Sequence, residues 1–316
     1  MASGTKAQSR QMSLNDWALL LLLGAIWGGS FFFARVAVAE IPPLNLVMFR
    51  VAIAALVLQV WLALRGPSFG LAFPMAGSFF ILAVLNNVIP FSLMFLGQTQ
   101  IGAGLASVLN ATTPFWTAIL AQMLTADEKL SGTRVLGILF GIAGTMVMIG
   151  PGLFNGLGGP IWAKLALVGT ALSYAFAFIF ARRFRDIPPP VIATGQLSAS
   201  TVIMIPLVLM VHGPEGLFSA SVHVWAAVIA LAVLATSFAY IIYFQLIASA
   251  GATNASLVTL IVPVSAILLG AVFLGERLEA FEIAGIILIG IGLVTIDGRL
   301  VRARSIADLF TALNIK

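Results

Sequence analysis

Polar side chains that interrupt long apolar runs are where this chain could do chemistry. Three of them precede a proline by four residues: Asn86 before Pro90, Asn110 before Pro114 and Thr259 before Pro263. Proline removes the hydrogen bond to the carbonyl four residues back and kinks a helix. Each stretch therefore frees a backbone acceptor beside an amide or hydroxyl, and such groups need a cavity or a partner helix. Asn110 and Thr259 read equally well as cavity wall or as bonds between helices. Asn86 and its neighbour Asn87 point to a cavity, because two adjacent amides do not share one helix face.

Aromatic residues form a second set. Trp27, Phe31, Trp116, Tyr174, Phe178, Tyr240 and Tyr243 fall inside the apolar runs. Trp27 with Phe31, and Tyr174 with Phe178, share a face at four-residue spacing, and the two pairs are expected to face one another. Ordinary packing accounts for any single Phe, but each Tyr hydroxyl needs a partner, which favours cavity lining. The candidate binding set is Trp27, Phe31, Asn86, Asn87, Asn110, Tyr174, Phe178, Tyr240, Tyr243 and Thr259, with Pro90, Pro114 and Pro263 as helix kinks. No Asp or Glu falls at the middle of a run. Arg35 and Arg50 are expected near run ends, where a long cation snorkels. With no fixed cation at depth, a phosphate or nucleotide sugar would lack its partners.

The same inventory argues against catalysis. His212 and His223 are the only histidines, and both lie at run ends. H-E-x-x-H does not occur, the one G-x-S-x-G, Gly66-Pro67-Ser68-Phe69-Gly70, falls in the turn between two apolar runs rather than on a strand-to-helix elbow, and a general base at depth is missing. Without cysteine there is no Fe–S or zinc–thiolate site. No metal or cofactor is expected, and no catalytic residue. A channel is disfavoured because nothing resembles a ring of charges or a carbonyl filter.

These residues need elements to hold them, and composition says which. Of 316 residues 61% are hydrophobic and 9% charged, against about 25% charged in soluble domains. A bilayer is the solvent that fits. Ten segments reach the roughly 20 residues needed to span it: 16–38, 44–64, 72–97, 102–124, 132–150, 162–181, 191–211, 223–247, 253–274 and 281–297. Turn formers such as Pro42-Pro43, Gly150-Pro151-Gly152 and Pro188-Pro189-Pro190 separate them. The first run is too long for a signal peptide and has a second copy mid-chain, so it is kept as a span. Twelve Lys and Arg fall on the side of the N-terminus, against Arg35, Arg50, Lys164 and Arg277 on the other. That asymmetry places both termini in the cytoplasm. The net charge of +5 is scattered over short loops, which argues against nucleic acid.

The halves repeat. Phe33-Ala34-Arg35 matches Phe180-Ala181-Arg182, and Pro42-Pro43 matches Pro189-Pro190, each 147 residues on. Ala83-Val84-Leu85 matches Ala232-Val233-Leu234, Pro114 matches Pro263 and Gly144 matches Gly292. Five spans per half is odd, so the second copy enters from the opposite face: an inverted repeat with its site at the interface of the halves. The expected plan is a cytoplasmic tail over 1–15, a first five-helix repeat over 16–150, a linker over 151–161, a second repeat over 162–297 and a cytoplasmic tail over 298–316. Gly137 and Gly141 form a small-xxx-small pair that suits close packing within a monomer or a dimer contact.

Trp27-Gly28 with Phe31-Phe32, then Ala255-Ser256, Pro263 and Gly275-Glu276-Arg277-Leu278 before Gly285 and Gly292, resemble the EamA family of the drug/metabolite transporter superfamily. Within it the chain is similar to the YddG-type aromatic amino-acid exporters. The first half departs from the family's Gly-Glu pair, reading Ala126-Asp127-Glu128. The resemblance implies an all-α integral membrane protein of the cell inner membrane. Ten helices would surround a central cavity with alternating access, and small organic metabolites would be the cargo. Aromatic or hydrophobic amino acids come first, small polar amino acids or lipophilic cationic drugs second.

Overall fold

The computed structural model describes residues 12–124, 132–155, 159–250, 255 and 258–297. No strand occurs among them. Asp127, Glu128 and Ser256, and the tail over 298–316, lie outside the described residues. In the bilayer core every backbone group must be satisfied within its own segment, and helices do this. Helix α1 (Leu14–Ala37) starts at a capping box. Ser13 Oγ accepts from Asp16 N at 3.1 Å, and Asp16 Oδ2 accepts from Ser13 N at 2.9 Å. Helix α2 (Pro43–Arg65) opens on a proline at its first position, where the missing N–H costs nothing.

Next come α3 (Ala76–Ala83), a π-helical turn (Val84–Val88) and α4 (Ile89–Gln98). Then follow α5 (Ala103–Asn110), α6 (Thr113–Leu124) and α7 (Gly132–Asn155). The second half holds α8 (Ile161–Ala181), α9 (Pro189–His212) and α10 (Val222–Ile229). A π segment (Ala230–Phe238) leads into α11 (Ala239–Ala250), then α12 (Val258–Leu274) and α13 (Ala280–Asp297). Among the described residues six helical stretches are long and apolar enough to cross a bilayer, and Val135–Val147, Ile261–Leu274 and Ala280–Thr295 are shorter apolar helices. The chain is a multi-pass membrane protein.

Three expected elements differ in detail. The run over 102–124 is two helices: α5 stops at Asn110 and α6 restarts at Thr113, so Pro114 sits in a helix's first turn and marks a break rather than a kink. Pro90 stands two residues after the π turn, in the first turn of α4, and of the three kink prolines only Pro263 lies inside a continuous helix. Gly150-Pro151-Gly152, expected as a turn, is helical within α7. A proline there forfeits one backbone bond, and the apolar run on both sides keeps the helix going.

Hydroxyls satisfy the widened π segments. Thr236 Oγ1 donates to Leu231 O at 2.9 Å and Ser237 Oγ to Ala232 O at 3.1 Å. In the first half Ser173 Oγ, from α8, donates to Leu85 O at 2.7 Å. The two π segments cover the repeated Val-Leu pairs Val84-Leu85 and Val233-Leu234.

Helix pairing follows a pattern. α2 packs on α9, α7 on α13, and α5 on α12. α1 packs on α12 and on the stretch from α10 to α11; its counterpart α8 packs on α6 and α5 and on the stretch from α3 to α4. The α7–α13 crossing is backbone to backbone. A Cβ at Gly144 would stand 2.8 Å from Gly285 O, and one at Gly292 would stand 2.7 Å from Gly137 O. A Cβ on Gly141 would meet the Phe115 ring at 2.2 Å. This glycine stripe is filled from within the chain.

At the end of the bundle where α1 finishes, Glu40 accepts from Ser221 N and Ser221 Oγ, each at 2.7 Å, across the two halves. These bonds, the backbone one foremost, hold the Glu40 carboxyl below its ordinary range.

Candidate functional site

A cavity of about 740 Å³ lies between the halves. Its aromatic walls are Trp27, Phe31, Phe91, Tyr174, Tyr240 and Tyr243, and its polar groups include Arg50, Asn86, Asn110, Gln196 and Thr236. α1 brings Trp27 and Phe31 one turn apart on its inward face. The break at 111–112 brings Asn110 and Pro114 to the wall, and the π segments bring Asn86 and Thr236.

Of the expected binding set, Trp27, Phe31, Asn86, Asn110, Tyr174, Phe178, Tyr240, Tyr243 and Thr259 line this cavity. Phe178 is 55% exposed, whereas Phe31 is buried. The two aromatic pairs do not meet as expected: the ring partner of Trp27 is Tyr243, with centroids 5.3 Å apart. The kink residues Pro90 and Pro263 do not line it.

Asn87 requires a correction. It is fully buried and donates from Nδ2 to Ser200 Oγ at 2.9 Å. Asn86 Nδ2 donates to Gln196 Oε1 at 2.8 Å. Adjacent amides therefore do bind one neighbouring helix, because Gln196 and Ser200 are one turn apart on α9 and the π turn changes the angle between successive side chains. Only Asn86 also reaches the cavity.

Arg50 requires a larger one. It does not snorkel. The residue is 6% exposed and lines the cavity. It is the eighth residue of α2, about 10 Å along the axis at 1.5 Å per residue. Its Nε donates to Thr236 Oγ1 at 3.0 Å, and the guanidinium carbon lies 3.8 Å from the centre of the Phe91 ring. Its Nη1 is buried without a hydrogen-bond partner, as is Asn110 Oδ1. Arg35, by contrast, donates to Gln98 O near the ends of α1 and α4.

Gln196 is another polar wall residue missed in the sequence. The Tyr240 hydroxyl and the Gln196 side chain are hydrogen-bonded. Gln196 is also the eighth residue of its helix, and α9 likewise opens on proline. A polar side chain at the same depth behind the same proline start was the signal available for both. Each is tied to the other half's π segment: Arg50 to Thr236, Gln196 to Asn86.

A half-open cavity with aromatic walls and a few polar groups can hold a small organic molecule. Among the described residues no cluster of His, Cys, Asp or Glu could hold a metal. The relatives fit this reading. The "Uncharacterized inner membrane transporter YedA" of Escherichia coli (strain K12) is 29% identical over 295 residues, covering 91% of this chain and 92% of that one. "Protein PagO" of Salmonella typhimurium is 27% identical over 284 residues, covering 87% and 90%. "Uncharacterized transporter YoaV" of Bacillus subtilis is 23% identical over 269, covering 85% and 91%. A solved structure titled "Crystal structure of protein" shares the fold, with a TM-score of 0.64 at 19% identity over 93% of this chain and 100% of that one. The model of the EamA-like transporter family matches twice, over residues 16–150 and 161–296. The chain belongs to the EamA-like transporter family.

Proposed function

We propose that this membrane transporter is a secondary carrier of aromatic or hydrophobic amino acids. It works by alternating access between two five-helix halves of opposite orientation, over 16–150 and 162–297. Both termini face the cytoplasm, and the membrane is the cell inner membrane, the location in the printed name of the E. coli relative. The paired helix contacts, the two π segments and the reciprocal glycine crossing support the inverted repeat. The observation that carries the substrate reading is the cavity: its volume falls within the roughly 300–1,000 Å³ of small-molecule sites, and aromatic rings form its walls. A side chain such as phenylalanine's gains about 0.5–1.5 kcal/mol per ring pair beyond its area burial. Asn110 Oδ1, a buried acceptor without a partner, suits an ammonium group. Small polar amino acids would leave the rings unused, and a lipophilic cation would be repelled by Arg50.

Counterflow tests this. Proteoliposomes preloaded with unlabelled phenylalanine should take up labelled phenylalanine transiently above equilibrium, and Tyr174→Ala should slow it at equal protein abundance. Uptake indifferent to preloading would remove the carrier reading.

A further inference from the structure

Resting on that reading, we infer that Arg50 is the anion subsite of the cavity and that the cargo docks a carboxylate on its Nη edge. A guanidinium keeps its charge in any protein, and an uncompensated charge inside a membrane protein is expensive. Arg50 is 6% exposed, and no ion pair to it exists among the described residues. Its compensation is partial. Thr236 Oγ1 takes Nε, and the Phe91 ring takes one face at 3.8 Å, with Phe95 farther away at 5.7 Å. That leaves the end of the fork, where Nη1 has no partner.

Three things follow for a ligand. The unpartnered donor is itself buried, but it belongs to a side chain of the cavity wall, so a cargo that shifts that wall slightly meets it. The Thr236 and Phe91 contacts fix the plane of the fork, so little side-chain freedom is lost on binding. A planar carboxylate is the anion whose two oxygens match a fork. Among the described residues Arg50 is the only Lys or Arg lining the cavity, so no second fixed cation is supplied there and the site suits a monoanion rather than a doubly charged phosphate monoester or a diphosphate. The rings beside it then set which carboxylates enter. A structural role alone, tying α2 to the second π segment, would use Nε and leave no reason for a buried, unpartnered Nη1.

The test uses the full chain in lipid nanodiscs and two neutral-bodied probes, 3-phenylpropionate and 3-phenylpropionamide, titrated against tryptophan emission. The carboxylate should bind roughly 10-fold or more tightly than the amide, the return on a charge-assisted pair. Arg50→Gln should lose that preference while binding the amide as the parent does, which also shows that the variant is folded. Arg50→Lys should keep part of it, since a point charge replaces the fork. Equal binding of both probes by the parent, no binding of either, or a preference that survives Arg50→Gln would overturn the assignment. Phenylalanine counterflow separates this from the carrier reading. Flux without acid–amide preference sinks the subsite alone, and acid preference without flux sinks the carrier reading alone.

Discussion

Replacing Glu276 should weaken the fold more than its partly open position suggests. It follows α12 and reaches across to the other half. Its Oε1 accepts from Ala103 N at 2.8 Å and its Oε2 from Gly104 N at 3.2 Å, two of the amides left free at the start of α5. A Cβ on Gly102 would lie 2.6 Å from the carboxylate, and one on Gly270 would lie 2.4 Å from Oε2, so the group sits in a slot between two glycines. Bonds to a charged acceptor contribute about 1.5–3 kcal/mol each when buried. Taking the low end for a half-buried group, losing both in Glu276→Ala costs roughly 2–3 kcal/mol. Glu276→Gln keeps one carbonyl acceptor and loses the charge at the helix start, for roughly 1 kcal/mol. Equilibrium unfolding in mixed micelles, followed by tryptophan emission, reads the order parent, Gln, Ala. Glu215→Ala, in an exposed turn, is the control. If Glu276→Ala falls within about 0.5 kcal/mol of that control, the scatter of ordinary surface changes, the cap contributes nothing.

Gly292→Ala should destabilise by roughly 1–3 kcal/mol through overpacking against Gly137 O. Gly290→Ala, whose Cβ would meet nothing, should be near neutral in the same assay; equal effects would contradict the crossing. The Glu40–Ser221 link should depend on acid. A carboxyl depressed in the folded state contributes above its ordinary value of 4.5, and the contribution is lost as pH falls through the folded value. The unfolding midpoint of the parent minus that of Glu40→Gln should thus be flat near neutral pH and shrink below pH 4.5; growth on acidification would refute it. A periplasm-active reporter fused after Lys316 should stay silent, and a strong signal would reverse the proposed topology.

Hydropathy made the spans readable because each must be apolar over its whole length, whatever its neighbours do. The depth of a polar residue was readable too: Arg50 stands seven residues in from Pro43. What one strand of text does not carry is rotation about the helix axis. Whether Arg50 swings to the headgroups or to the cavity is decided by Thr236, 186 residues away. Asn87 was misplaced for a related reason. Its face was assigned at 100° per residue, and the π turn over Val84–Val88 breaks that rule, with nothing in the local residues to announce it. Trp27 meeting Tyr243 rather than Tyr174 is likewise a matter of how far each half is turned.

Arg50 and Gln196 occupy matching places in their helices, and this bears on which way the molecule rests. Two identical halves exchanging conformations would give two shapes of equal free energy, each the other seen upside down. Arginine at one place and glutamine at the other removes that degeneracy. Under the proposed alternation, one shape holds a permanent charge where its counterpart holds a neutral amide. The idle carrier is then biased, tenfold for every 1.4 kcal/mol by which the two environments differ in tolerating the charge. A bound carboxylate cancels most of the bias, so the cargo itself would bring the two shapes closer to balance.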